Sequence, residues 1–421
     1  MGKIGKNALD IQESNRASIL RILVKEGVLT RVELSRMTGL KQATITNIIN
    51  EFLASGIVYE TGTLKGNMGR RTIGISINAD KFNVVGIKIA RRSYSVGVFN
   101  IKNQILDKVF KKQDGDLNAA LMLRDIVADT KMLIEKYGNC SAIGVAVPGP
   151  YLRREGRIAV MSEFVGWETI DIREQLSRSF EQPVFIEHDA NAGALGEWSY
   201  LPENQSSDVL VHLLASEGIG TGVVINGKII SGYRGIFGEV GHMSINAMGA
   251  RCVCGNYGCL EMYCSALALV KDVTAELAKY PESSLNSEEK ITADVIFKHM
   301  KQGDAFCVSM VKRAGRYLGI GIANIVNIYD PKEIVISDIM SGGGEVMMHS
   351  IQQTVRERLL PDVFKDLIIR YSNVPEDLIL YGAASVAIDM MLEKPDFFYD
   401  RPPGTSGSNA KSAAPPIPQR H

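Results

Sequence analysis

His242, Cys252, Cys254 and Cys259 are spaced H-x9-C-x-C-x4-C, the densest grouping of soft metal donors in the chain. Three thiols and one imidazole suit a closed tetrahedral zinc site, in which protein fills every position and no catalytic water remains. Zn2+ held by His242, Cys252, Cys254 and Cys259 is therefore expected to be structural. Gly249, Gly255 and Gly258 interrupt the run and let the backbone turn tightly around an ion. Cys264 falls on the helix beyond and reads as packing. Clustered thiols in a reducing compartment point to a metal before disulfides. A thiol redox sensor is the other chemistry such a cluster permits.

A second constellation lies near the N-terminus. Lys41 to Ser55 has helical period, with Ile45, Ile48, Ile49, Phe52 and Leu53 on one face. The opposite face carries Thr46, Asn47 and Asn50, and the first turn adds Lys41 and Gln42. Asn and Gln pair bidentately with adenine, while Lys and Thr reach phosphates. Arg70 and Arg71 sit at the tip of a β-hairpin, placed for backbone or minor groove. Residues 1–78 hold 11 Lys/Arg and 6 Asp/Glu, a net +5 in a chain whose total is zero. A basic segment on an acidic body suits a polyanion partner. A protein-interaction module with a solvated face is the alternative.

The elements that must position these groups are legible in outline. Helices through Ile19–Leu23 and Val32–Met37 precede the one above, with Gly27, Gly39 and Gly56 as stops and Thr30 as a cap. Together with the hairpin they predict a winged helix-turn-helix over 1–78. From residue 82 short β-rich runs alternate with helical stretches, in two rounds. That predicts an α/β body of two similar lobes with a cleft between them. The lobes are expected at 79–189, completed by 376–392, and at 190–375. Residues 393–421, rich in Pro, Gly, Ser and Ala, are expected to be a disordered tail. No apolar run approaches the ~20 residues that cross a bilayer, and the N-terminus lacks a signal-peptide stretch. Both predict a cytoplasmic protein without membrane insertion.

Gly238-Glu239-Val240-Gly241-His242, followed by Cys252-Val253-Cys254-Gly255-Asn256-Tyr257-Gly258-Cys259-Leu260-Glu261, resembles the signature of the ROK family (repressors, open reading frames and sugar kinases). The likeness extends to about residue 390, and the N-terminal module with Met68-Gly69-Arg70-Arg71 looks like the repressor branch. The resemblance implies an actin-like, sugar-kinase-type fold with a sugar in the interlobe cleft. It places Glu239, His242 and Glu261 on the sugar hydroxyls, with the Gly149 region lining the pocket. Asp189 matches the aspartate that serves as base in the kinases. The family usually has asparagine where this chain has His188, and another near Glu163, so the sugar itself is not read from the motif.

Kinases of the family open their body with Asp-x-Gly-Gly-Thr. The matching stretch here is Gly86-Ile87-Lys88-Ile89-Ala90-Arg91-Arg92. Lysine replaces the metal-binding aspartate, and the glycines and threonine are gone. Ser337-Asp338 replaces a Gly-Gly near the adenosine site. Phosphoryl transfer rests on positioning and charge neutralisation, so these losses predict a sensor and no enzyme. The resemblance thus implies a sugar-responsive regulator, a repressor by preference, that binds palindromic operator DNA as a homodimer or homotetramer. Activation, control by a partner protein, and a sugar kinase with a fused DNA-binding domain are the alternatives.

Overall fold

A computed structural model describes residues 8–65, 71–113, 118–149, 151–152, 155–158, 166–200, 208–374 and 377–399. The N-terminal module comprises α1 (Ala8–Glu26), β1 (Leu29–Thr30), α2 (Arg31–Thr38), α3 (Gln42–Ala54), β2 (Val58–Lys65) and β3 (Arg71–Ile77). Thr30 caps α2 through a reciprocal pair with Glu33, and Gly39 ends the helix at φ +71°. Ile45, Ile48, Ile49 and Phe52 of α3 are buried. β1, unforeseen at two residues, pairs with β3 and closes a three-stranded sheet in the order β1-β3-β2.

The first lobe contains β4 (Asn83–Ile89), β5 (Ser93–Asn100), β6 (Ile105–Lys112), α4 (Ala119–Tyr137) and β7 (Cys140–Val147). β8 (Tyr151–Leu152), β9 (Arg157–Ile158), α5 (Ile172–Ser179) and β10 (Val184–His188) follow. Its sheet runs β10-β7-β4-β5-β6. β7 is parallel to β4 and β10 to β7, whereas β5 is antiparallel to β4 and β6 antiparallel to β5. α6 (Asp189–Tyr200) leads into the second lobe. That lobe is built from β11 (Val209–Ala215), β12 (Ile219–Ile225), β13 (Lys228–Ile229), α7 (Glu261–Cys264), α8 (Ala266–Glu276), α9 (Ala293–Lys301) and α10 (Ala305–Tyr329). It ends with β14 (Glu333–Ser337), α11 (Gly344–Arg358), α12 (Pro361–Asp366) and β15 (Ile368–Tyr371), before α13 (Leu378–Glu393). Its sheet runs β13-β12-β11-β14-β15. The two-sheet, winged-helix architecture is the fold the sequence predicts.

α6 and α13 join the lobes. α13 packs on β4 and β7, α6 packs on β11 and β12, and the two helices pack on each other. Close approach is enforced by glycine: a Cβ at Gly382 would lie 2.1 Å from the Ala192 carbonyl oxygen. On the sheet side, a Cβ at Gly144 would lie 1.8 Å from the Ala383 carbonyl oxygen. Backbone cannot yield as a flexible side chain can, so Gly144→Ala should cost about 2 kcal/mol, measured by urea denaturation.

The expected disordered tail needs correction at its start. Residues 395–398 form a short helical turn. Phe398 is buried against Phe82, with ring centroids 4.9 Å apart, and the Tyr399 hydroxyl bonds the carboxylate of Glu51 on α3. Composition pointed to disorder, but two aromatic side chains find a cavity and a partner that only the fold supplies. Residues 400–421 lie outside the described residues.

Candidate functional site

The four predicted metal donors converge. One donor atom each from His242, Cys252, Cys254 and Cys259 lies within 4.8 Å of all the others. Cys254 Sγ is 3.7 Å from Cys259 Sγ, and Cys252 Sγ is 3.7 Å from His242 Nδ1. The edge of a tetrahedron with metal–sulfur bonds of about 2.3 Å is roughly 3.8 Å, so this donor set could hold a metal ion. The strand-poor stretch between β13 and α7 makes this possible. Gly258, at φ +64°, lets its chain pass Asn246, whose carbonyl oxygen would be 1.7 Å from an added Cβ.

Glu261 lies beside the donor set. Its Oε1 lies 3.2 Å from His242 Nδ1 and 3.1 Å from Cys252 Sγ. An added Cβ on Gly218 would lie 3.6 Å from its Oε2. Glu261 therefore spans from the thiol cluster to the β11–β12 turn. Its position on the first turn of α7 places it between the two.

His188, Asp189 and Glu239 are brought together at the junction of β10 and α6. His188 Nε2 is 3.1 Å from Asp189 Oδ1 and 4.0 Å from Glu239 Oε1. Burial pushes both the Asp189 and the Glu239 carboxyls above the usual range, and nearby His188 pulls each back. Glu239 Oε1 is buried without a hydrogen-bond partner, an acceptor awaiting a donor. Gly149 sits after β7 at φ +69°. Glu163 lies outside the described residues.

Sequence reasoning missed His212, on β11. It is fully buried, with Nδ1 2.9 Å from the Ala190 carbonyl oxygen and Nε2 2.7 Å from Ser337 Oγ. The carbonyl can only accept, so Nδ1 carries the proton and Nε2 accepts from the serine. Burial lowers its pKa to about 4. The unfolded chain therefore takes up a proton first as pH falls below about 6.5. Stability present above that pH should drop by about 3 kcal/mol on the way to pH 4. Urea midpoints across this range should reveal the loss, and His212→Gln should flatten it.

The kinase-loop positions carry ion pairs. Lys88 Nζ is 2.9 Å from Asp377 Oδ1 and 3.8 Å from Asp338 Oδ2. Burial alone would lower the Lys88 pKa, but Asp377 and Asp338 raise it, which keeps the ammonium charged. Arg91 Nε lies 3.2 Å from Glu217 Oε2. These partners are far apart in the chain, and no local pattern pairs them.

On the N-terminal module, Lys41, Gln42, Asn47 and Asn50 are exposed on one side of α3, opposite its buried face. Thr46 is half-buried, and its hydroxyl donates to the Gln42 carbonyl oxygen at 2.9 Å. Arg71 opens β3 opposite Lys65. Arg70 lies outside the described residues. The module is attached to the body: Arg21 on α1 pairs with Asp389 on α13 at 3.1 Å, and Lys25 lies over the Trp198 ring of α6.

Residues 84–390 match the ROK family, and residues 14–59 match a winged helix-turn-helix DNA-binding module. The chain belongs to the ROK family. Over 394 residues it is 27% identical to the xylose repressor of Caldicellulosiruptor bescii, covering 92% of this chain and 98% of that one. It is 26% identical over 354 residues to the N-acetylglucosamine repressor of Escherichia coli, covering 83% and 86%. The crystal structure of a ROK family transcriptional regulator, a homologue of the E. coli MLC protein, superposes with a TM-score of 0.79 at 26% identity, covering 92% of this chain and 98% of that chain. The ROK hexokinase of Thermus thermophilus aligns with 73% of this chain and 98% of its own, at 28% identity and a TM-score of 0.59. The ROK regulator's likeness thus spans the winged helix as well as the body. No described helix is long and apolar enough to cross a membrane.

Proposed function

We propose that this ROK protein is a sugar-responsive transcriptional repressor of carbohydrate-utilisation genes. One observation carries the reading: the helix that begins at Asp189 packs on α13, and α13 in turn holds α1 of the winged helix. A ligand at Asp189 and Glu239 is thereby two helices away from the DNA-reading module. Such coupling requires the sugar to bind one arrangement better than another. A coupling of about 1–3 kcal/mol would weaken operator binding roughly 5–150-fold. The repressor names of relatives that match along most of the chain support the same reading.

Two copies would place two α3 helices on the halves of a palindromic operator. Gln42, Asn47 and Asn50 would meet base edges, with Lys41 and Thr46 on phosphates and Arg70 and Arg71 on the backbone or minor groove. Glu239, His188 and Asp189 would take sugar hydroxyls, with Gly149 and Glu163 along the pocket. His242, Cys252, Cys254 and Cys259 would hold zinc, which would fix His242 and, through it, Glu261. When bound, zinc would supply structural rigidity and no chemistry.

Kinase activity is not part of this reading. A nucleotide phosphate would meet Asp338 and Asp377 at the place where Lys88 is already neutralised. The test is thermal unfolding of the zinc-loaded protein with D-xylose, D-glucose and N-acetylglucosamine, each with and without ATP. Ligand at about 100 times its Kd stabilises by roughly 2.7 kcal/mol. A rise with one sugar and none with ATP is expected. A rise with ATP, or ATP-dependent phosphorylation of a sugar, would overturn the reading.

A further inference from the structure

Lys88 on β4 and Arg91 in the turn after it both reach from the first lobe into the second. Besides Asp377 at the start of α13, which Lys88 meets at 2.9 Å, their partners belong to two neighbouring corners of the second sheet. Asp338 follows β14, and Glu217 lies in the turn between β11 and β12. These corners are themselves tied together, since the Ser216 hydroxyl donates to Asp338 Oδ1 at 3.1 Å. We propose that Lys88 and Arg91 are positioning residues that clasp the lobes together, so that fixed charges of the protein set the width of the cleft at the Ser216–Gly218 turn.

Three features favour a clasp over incidental surface pairs. First, the cations are shielded: 21% of the Lys88 side chain and 14% of the Arg91 side chain are exposed. Lys88 is sheltered together with both its acids and is screened less than solvent-exposed pairs, which contribute little; Glu217, 37% exposed, leaves the Arg91 pair open to salt on one side. Second, both acids that face Lys88 are held in place. Asp377 caps α13 through Leu380 and also accepts from Ser95, which aims Lys88 at Asp338. Asp338 adopts φ +72°, a region disfavoured for a residue with a Cβ, and its carboxylate bonds the Ile339 amide at 2.8 Å. Third, the clasped turn leads straight into the candidate ligand site: an added Cβ on Gly220 would lie 3.6 Å from His188 Cε1, so a shift of Glu217 is passed on toward His188. Arg91 Nη1 is buried without a hydrogen-bond partner among the described residues, while Nε holds the ion pair with Glu217.

The clasp goes beyond sugar sensing and can be tested without any sugar. Hydrogen–deuterium exchange of the full chain, followed in peptides spanning 213–222 and 334–343, reports on the two corners. Arg91→Glu, which sets like charges face to face, should speed exchange in both peptides about tenfold. Adding Glu217→Arg, which reverses the pair, should bring exchange back to within about twofold of the parent. Exchange in the parent should also rise between 0.05 and 0.5 M NaCl. Unchanged exchange in Arg91→Glu, or a reversed pair as open as the single variant, would overturn the clasp. If Arg91→Glu does not fold, Arg91→Gln and Glu217→Gln carry the test as a double-mutant cycle. Together they should open the turn no more than either alone. Strict additivity would show that the two residues do not act as a pair. A protein whose turn opens as expected but binds no sugar would refute the sensing reading and leave the clasp standing.

Discussion

Replacing Cys259 with serine is expected to remove one equivalent of zinc and destabilise the body by about 5 kcal/mol, since structural zinc sites supply on the order of 10 kcal/mol of folding free energy. Cys259 is fully buried, and its Sγ lies 3.7 Å from Cys254 Sγ and 3.5 Å from the His242 carbonyl oxygen. Without a metal, three thiols and an imidazole would be crowded together with few good partners. The chain from Ser231 to Leu260 has little regular structure, so little else orders it. Cys264 supplies the control. It is equally buried and bonds the Leu260 carbonyl oxygen at the start of its own helix, but it stands outside the donor set. Cys264→Ser should keep its zinc and lose only packing stability. Metal content by mass spectrometry and thermal unfolding together decide the matter. A parent protein purified without zinc, and indifferent to a strong chelator, would sink the assignment.

Gln42→Ala and Asn47→Ala should each weaken binding to the preferred operator by about 1–3 kcal/mol. Combined, they should cost about 4 kcal/mol, roughly a thousandfold. Both side chains are exposed on α3, so folding stability should stay within about 0.5 kcal/mol of the parent. Binding to random duplex should barely change, because phosphate contacts carry that term. Arg71→Ala should behave in the opposite way, weakening all sequences alike and lowering the salt slope by about one. An operator selected from a random library, followed by fluorescence anisotropy at several salt concentrations, would separate these cases. Intact sequence preference in Asn47→Ala would show that α3 does not read bases there.

Three features of the chain are local, and local physics makes them readable. The 3.6-residue period of α3, the Thr30–Glu33 cap and the cysteine spacing before α7 each involve residues close in sequence. Backbone geometry alone brings such residues near one another. The same holds for the short β-rich runs of the two lobes, although β15 in the second lobe and β1 in the winged helix were too short to stand out.

What only the tertiary structure decided is where distant residues meet. Strand order β10-β7-β4-β5-β6 is one such result, because parallel pairing depends on crossovers and not on the strands' own residues. Lys88 could be read as a lost kinase aspartate, but its pairing with Asp377 and Asp338 joins segments hundreds of residues apart. The Glu261 carboxylate meets His242 and Cys252, because a four-residue helix follows directly on the thiol loop. Residues 395–399 looked disordered by composition, yet Phe398 and Tyr399 are held by Phe82 and Glu51. In each case the chain carries the chemistry in its residue types. The partner is supplied by packing, whose energy is long-range in sequence and short-range in space.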